Sequence, residues 1–296
     1  MIINLRYHIA SLVAVFLALG IGILVGSIIM GNNALEEQQQ QLADRLEKHL
    51  TDLRRENELV RQQLGELEAV VDRQKNFAES VFPYLVAEQL KDYNIAIIET
   101  GEDAAWQELE VSLEIAGANV QSYTVFKDWT FEGVDKDAVL RLRGWDHIPD
   151  TKLVAAIAAA VAQDILSGSS PLIEYLEQEN FLMRRGEYGH PIDAVVIVAG
   201  DNGGKERLRN LDLKIIQYFR QHDIPVYGVE RSDITKSCMR EYQQVCVATV
   251  DNIDQIPGRF ALVMALAGRN GHYGIKDSAQ NLIPVFGGTE GLNVNG

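Results

Sequence analysis

The chain has 296 residues, of which 42 are acidic and 27 are basic, so its formal net charge is −15 at pH 7. Phosphate backbones and anionic lipid headgroups repel such a surface, which argues against nucleic acid as a partner. An acidic surface is compatible with cations, although it is also usual for an ordinary soluble domain.

The N-terminal segment is strongly apolar. From Ile9 to Met30 it carries no charged residue, and a helix of that length matches the hydrocarbon core of a bilayer. We therefore expect residues 1–32 to form a transmembrane signal anchor. Small residues recur at every fourth position, where they line one face and permit a second helix to approach; they are Ala10, Ala14, Ala18, Gly22 and Gly26. Ordinary use of Ala and Gly in membrane helices also explains this stripe.

The charges that flank the apolar segment predict its orientation. Arg6, His8 and the amino terminus precede it, whereas Glu36 and Glu37 follow it and the next basic residue is Arg45. Basic residues favour the cytoplasmic flank. The sequence therefore predicts a single-pass cell-membrane protein with a cytoplasmic N-terminus and an extracytoplasmic C-terminal domain. A cleaved secretory signal is the alternative, but its apolar region would be shorter than this one.

Residues 33–82 are rich in Gln, Glu, Arg and Leu, and they predict a coiled-coil stalk. Apolar residues recur in steps of three and four, which is the heptad pattern. The a positions are Ala43, Leu50, Asn57, Leu64, Val71 and Ala78, and the d positions are Leu46, Leu53, Val60, Leu67, Gln74 and Val81. We expect Pro83 to interrupt this helix.

Asn57 stands at an a position, where a buried amide paired with its twin favours a parallel, in-register dimer at a cost in stability. Glu56 at g and Arg61 at the following e position could form an interchain ion pair. The sequence thus favours a parallel homodimer. The alternative is a helix that folds back on its own globular domain.

Residues 83–296 predict a globular α/β domain. Two strand–helix–strand units, which begin at residues 93–99 and 194–199, indicate a mostly parallel, Rossmann-like sheet covered by helices. In chain order we expect strands at 93–99, 119–125, 194–199, 225–229 and 245–250, and helices from Asp103 to Ala116, at 150–166, after Ser170, at 205–221 and up to Gly268. The tail ending at Gly296 is rich in Gly and Asn, and we expect its end to be loosely ordered.

Four acidic residues follow or end predicted strands, namely Glu99, Asp201, Asp251 and Asp254. The carboxyl ends of parallel strands meet at one edge, where ligands of such folds bind. These residues therefore form a candidate acidic cluster. We favour the simpler interpretation that aspartates at such positions cap helix N-termini.

No motif identifies an enzyme, and we expect none. The loop from Gly200 to Lys205 follows a strand, but its spacing differs from a P-loop and Glu206 stands where Ser or Thr is needed. Cys238 and Cys246 are too far apart for a C-x-x-C motif, and a disulfide between them is permitted outside the cytoplasm. The histidines are scattered, so cofactor and metal ligands stay unassigned.

Three segments resemble the MctB-like family of copper transport outer membrane proteins. They are INLRYHIASLVAVFLALGIGILVGS (Ile3–Ser27), VDNIDQIPGRFALVMALAG (Val250–Gly268) and GHYGIKDSAQNLIP (Gly271–Pro284). The resemblance covers the full length of the chain and implies a role in copper transport or homeostasis, with copper as the metal. It supplies no copper ligands. A single spanning helix cannot by itself form a pore.

We therefore expect a membrane-anchored envelope protein of the copper transport family. The alternative is a dimeric envelope scaffold or binding module with no transport activity of its own, for which another envelope protein would be the partner.

Overall fold

The structure is a computed structural model that describes residues 5–101, 106–201 and 203–285. The chain divides into two compact units, the first ending at Gln74 and the second beginning at Lys75. The predicted helix start at Asp103 and the end of the tail, residues 286–296, lie outside the described residues. A single helix, α1 (Leu5–Val86), holds every described residue of the first unit and ends in the second.

The prediction that Pro83 interrupts this helix is wrong, because α1 includes Pro83 and ends at Val86. Proline removes one N–H donor, but its own carbonyl still accepts a hydrogen bond from the amide of Ala87 at 3.0 Å. Phe82 and Val86 are buried in the core of the second unit. Their burial stabilises the last turn despite the missing donor.

Seven strands form one sheet in the order β3-β2-β1-β4-β5-β6-β7. The strands are β1 (Asn94–Glu99), β2 (Asn119–Phe126), β3 (Leu182–Gly186), β4 (Ala194–Ala199), β5 (Val226–Glu230), β6 (Ala248–Val250) and β7 (His272–Tyr273). Neighbouring strands pair in parallel except β2 and β3, which are antiparallel. The predicted mixed α/β class with a mostly parallel sheet is confirmed.

Helices cover both faces of this sheet. They are α2 (Trp106–Ile115), α3 (Lys136–Arg143), α4 (Asp150–Ser167), α5 (Pro171–Gln178), α6 (Gly204–Arg207), α7 (Leu213–Gln221), α8 (Met239–Tyr242) and α9 (Ile256–Leu266). One core joins α4, α5 and α7 to the sheet, and the other joins α2, α9 and the end of α1 to its opposite face. Strand β4 is buried on both faces, as its continuous apolar run predicts.

Two features of the helices differ from the prediction. The expected helix over 205–221 is divided by a π-helical turn, Leu208–Asp212, between α6 and α7. Ser170 is the N-cap residue of α5 with proline next to it, as expected, but its side chain caps nothing. Instead, the Ser170 hydroxyl donates a hydrogen bond to Asp164 Oδ2 at 2.5 Å.

Candidate functional site

The four predicted acidic residues all lie at or beyond the carboxyl ends of strands, and each is held by hydrogen bonds of its own. Glu99, at the end of β1, accepts a hydrogen bond from the Tyr123 hydroxyl. Asp201 accepts from the amides of Thr235 and Lys236 at 3.0 and 2.9 Å. Glu99 therefore binds a side chain of strand β2, whereas Asp201 binds backbone amides of the loop that follows β5.

Asp251 and Asp254 also bind backbone amides, and Asp254 binds the same loop after β5 as Asp201 does. Asp254 accepts from the Ser232 amide and hydroxyl, both at 2.6 Å. Asp251 accepts from the amides of Ile275 and Lys276 at 2.7 and 3.1 Å. These bonds lock the polypeptide that follows β5 and β7 against the carboxyl edge of the sheet.

The interpretation of these aspartates as helix N-caps is wrong where the structure describes the helix start. Gly203 is the N-cap residue of α6 and Gln255 is that of α9, and neither forms a side-chain capping bond. Gly203 has φ +75°, and a Cβ there would lie 2.6 Å from the indole ring of Trp129. Close packing against Trp129 and a positive φ therefore account for glycine at this position.

A buried ion pair under the loop after β4 was not predicted. Arg207 and Asp212 are both fully buried, and Arg207 Nε donates to Asp212 Oδ2 at 3.3 Å. The guanidinium also donates to the carbonyl of Gly200, and the hydroxyl of Tyr242 donates to Asp212 Oδ2 at 2.8 Å. Burial raises the pKa of the Asp212 carboxyl, whereas the charge of Arg207 and the Tyr242 hydroxyl oppose that rise.

The π-helical turn explains how these two side chains meet. Asp212 stands five positions after Arg207, and in a regular α-helix that spacing rotates two side chains about 140° apart. A π-helical turn closes i to i+5 and brings them to the same side. The sequence gives only a weak indication of this ion pair: Asp212 falls among the apolar residues of the helix, which are buried in the structure, namely Leu208, Leu211, Ile215 and Ile216.

A second buried network ties the C-terminal segment to the sheet. Lys276 Nζ donates to Glu230 Oε1 at 2.7 Å and to the carbonyls of Arg231 and Ile234 at 3.2 and 3.0 Å. Glu230 is fully buried and also accepts from the Ser237 hydroxyl at 2.6 Å. The edge where ligands of such folds bind is therefore covered at β5 and β6 by the chain's own residues.

Gly274 permits this arrangement. Its φ is +140°, and a Cβ built there would lie 2.0 Å from Asp251 Oδ1. Only glycine lets the backbone approach the Asp251 carboxylate closely enough for the amides of Ile275 and Lys276 to bind it.

Both cysteines are buried free thiols in the structure. Burial raises the pKa of the Cys238 thiol to about 11 and that of Cys246 to about 12. Both are therefore protonated near neutral pH, the less reactive state of a thiol. Among the described residues, no group of three or more His, Cys, Asp or Glu is arranged to hold a metal ion.

Helix α1 carries two surfaces that lack cover within the described chain. The segment Arg6–Ile28 is long and apolar enough to cross a membrane, and its small residues Ala10, Ala14, Ala18, Gly22 and Gly26 are all exposed. Further along, the apolar heptad residues Leu46, Leu50, Leu53, Val60, Leu64, Leu67 and Val71 are exposed as well. Asn57, between them, donates from Nδ2 to its own helix at the Leu53 carbonyl, 3.1 Å away.

A protein-family model described as "Copper transport outer membrane protein, MctB" matches residues 2–284 of this chain. The chain belongs to the MctB family. The predicted resemblance is thus confirmed over nearly the whole sequence. Among curated proteins, none matches this MctB-family chain.

The C-terminal segments that resemble the MctB family form one connected part of the structure. Residues 250–268 include the end of β6 and all of α9, and residues 271–284 include β7 and the residues after it, which bind Asp251 and Glu230. Asp251 lies in the first of these and Lys276 in the second. Their hydrogen bonds give a structural reason for the two segments to occur together.

Proposed function

We propose that this MctB-family chain acts in copper transport or copper homeostasis as a single-pass protein of the cell membrane. In this proposal the N-terminus is cytoplasmic and the globular domain is extracytoplasmic. The family match over residues 2–284 carries the proposal, and the apolar helix segment Arg6–Ile28 supports the membrane attachment.

We further propose that the protein works as a parallel homodimer through its stalk, and by binding or transport, not by catalysis. The exposed a and d residues support this, since an apolar stripe along a helix favours burial against a partner. Asn57 at an a position favours the parallel, in-register arrangement. Two parallel stalks would also allow the two apolar helix segments to enter the membrane side by side.

Deletion of the gene in its host tests the copper function. We expect growth at raised copper to fall and cellular copper content, measured by mass spectrometry, to change, while zinc tolerance and zinc content stay unchanged. The full chain should restore both copper measures. Unaltered copper tolerance and content after deletion would refute the proposal and favour an envelope scaffold.

The same host tests the role of the dimer. Leu64→Arg places a charge on an a position, whereas Leu59→Arg places the same charge at a c position outside the seam; both leucines are exposed in the single chain. We expect only the Leu59→Arg chain to restore copper tolerance at equal expression. Equal restoration by both variants would contradict a functional role for the stalk dimer.

Labelling of intact protoplasts tests the orientation. Cysteine placed at exposed Glu132 should react with a membrane-impermeant maleimide, while cysteine at Asn4, before the apolar segment, should react only after lysis. The native thiols are buried and should add little background. The reverse labelling pattern would refute the proposed topology.

A further inference from the structure

An apolar groove lies in the second unit, between the end of α1 and helix α9. Its volume is about 620 Å³. Most of its lining is apolar, including Phe77, Phe82, Phe260, Met264 and Leu282, and its polar lining residues are Gln89 and Arg269. The groove therefore presents a surface suited to apolar side chains.

The floor of this groove is the last part of the heptad seam. Ala78 is an a position and Val81 a d position of the predicted pattern, and Leu85 is the next a position. Phe77 stands at g and Phe82 at e, so the two phenylalanines flank the seam on opposite sides. All five line the groove.

Several of these side chains are exposed to solvent in the single chain. Phe77 is 70% exposed, Leu85 53% and Leu282 46%. Adjoining apolar side chains that remain in water mark a surface that another molecule covers. Phe82, in contrast, is buried against the core on one side and lines the groove on the other.

We infer that a second copy of this chain fills the groove, so that the dimer interface extends from the stalk onto the globular domain. The partner's Phe77 lies against Phe82 and reaches Phe260 and Met264 of α9. This inference rests on the parallel stalk dimer of the proposed function.

Heptad geometry identifies the occupant. In a parallel coiled coil a g residue faces the e residue of the following heptad on the other helix. Phe77 and Phe82 stand in that relation, as Glu56 and Arg61 do nearer the membrane. Both copies of the groove lie on the seam and therefore face the two-fold axis, so each copy supplies one Phe77 and receives one.

A photo-crosslinking experiment on the full chain in detergent tests this inference. One copy carries p-benzoylphenylalanine in place of Phe77, and the other is labelled with ¹⁵N and has no photoreactive residue. After mixing, irradiation and trypsin digestion, we expect position 77 to be joined to ¹⁵N-labelled peptides covering residues 76–91 or 260–269. Mass spectrometry distinguishes these from crosslinks within one chain.

The matched control places the photoreactive residue at Asn76, an exposed f position beside Phe77. We expect crosslinks between copies to be at least ten-fold fewer from position 76 than from position 77. If every crosslink from position 77 stays within one chain, the inference is overturned. Equal yields from the two positions would overturn it as well.

A disulfide in the stalk separates failure of the groove contact from failure of the dimer. Leu53→Cys at a d position should oxidise to a covalent dimer, and Leu59→Cys at a c position should not. A covalent dimer of the Leu53→Cys chain without crosslinks between copies from position 77 would overturn the groove contact and leave the stalk dimer standing. Loss of both signals would overturn both.

Discussion

Asp212 shows how a single residue shapes the interior of this domain. It lies on the buried side of its helix, where Leu211 and Ile215 would suggest an apolar neighbour. A carboxylate is costly there unless a cation and hydrogen-bond donors accompany it. Arg207 and Tyr242 supply them, so the three residues form one unit that binds the loop after β4 to α8.

Replacing Arg207 with methionine should destabilise the domain by about 3–5 kcal/mol at neutral pH, the usual effect of removing one partner of a buried ion pair. The guanidinium opposes the burial-driven rise in the pKa of Asp212, so this pKa rises further in Arg207→Met. The folded variant then keeps a proton that the unfolded chain releases as pH rises above the ordinary carboxyl pKa. The loss of stability is therefore largest at neutral and alkaline pH and shrinks toward pH 4.

Urea unfolding of the full chain across pH 4–9, followed by circular dichroism, measures this effect. Arg240→Met is the matched control, because Arg240 is exposed on α8 and its loss should change the free energy of unfolding by less than about 0.5 kcal/mol. An Arg207→Met deficit that is the same at every pH would contradict the assigned role of Asp212.

The individual acidic residues were predictable from sequence, but their partners were not. Asp201, Asp251 and Asp254 follow strands, and that position alone places them at the carboxyl edge. Their hydrogen-bond partners lie 22 to 35 residues away along the chain, and no local pattern specifies such contacts. The cap interpretation failed because loops, not helix starts, bring the backbone amides to these carboxylates.

At the scale of elements, the strands with continuous apolar runs were predicted and the edge strands were not. The predicted bounds of β4 are those of the structure, those of β1 and β2 differ by one residue at one end, and those of β5 are shifted by one residue. The strand predicted over 245–250 begins three residues before β6. Strand β3 has the sequence LMRRG, and β7 has two residues. Edge strands bury less and tolerate charge, so composition gives little indication of them.

Hydrophobic periodicity does not predict the π-helical turn, for a related reason. The apolar residues around it still recur at spacings of three and four, which favour one continuous helix over 205–221. Only the buried charges at 207 and 212 conflict with that helix. Their need to pair is a tertiary effect, and it is stronger than the local preference for α-helical hydrogen bonds.

Asn57→Leu tests the stalk at this scale. Replacing a buried amide by a leucine should stabilise the coiled coil by about 1–3 kcal/mol, while register and oligomer number become less well defined. Thermal unfolding measures the first effect and analytical ultracentrifugation of the full chain in detergent the second.

Asn76→Leu is the control for this substitution, because Asn76 is exposed at an f position of the same helix. It should leave both the melting temperature of the stalk and its mass nearly unchanged. Monomeric behaviour of the wild-type chain and of both variants would argue against a coiled-coil dimer.

For the whole molecule, the proposed topology makes one short segment decide on which side of the membrane the rest of the chain lies. The globular domain and the stalk carry all of the chain's acidic residues, and they follow the apolar segment Arg6–Ile28. Orientation of such a segment depends on the basic residues close to its two ends. Here the difference in basic charge between the two ends comes from Arg6 and the amino terminus, because no Lys or Arg follows the segment before Arg45.

Reversing this charge difference should invert the protein. In the variant Arg6→Asn/Asn32→Lys/Asn33→Lys, basic residues follow the span and only the amino terminus precedes it, so we expect most chains to hold the domain in the cytoplasm. Labelling of a cysteine at position 132 in intact protoplasts should then fall several-fold and recover after lysis. The charge-conserving variant Arg6→Lys/Asn32→Gln/Asn33→Gln should label like the wild type. Full labelling of the inverted-charge variant from outside would show that flanking charge does not set the orientation. The length and apolarity of the segment itself would then determine whether the long acidic domain crosses the membrane.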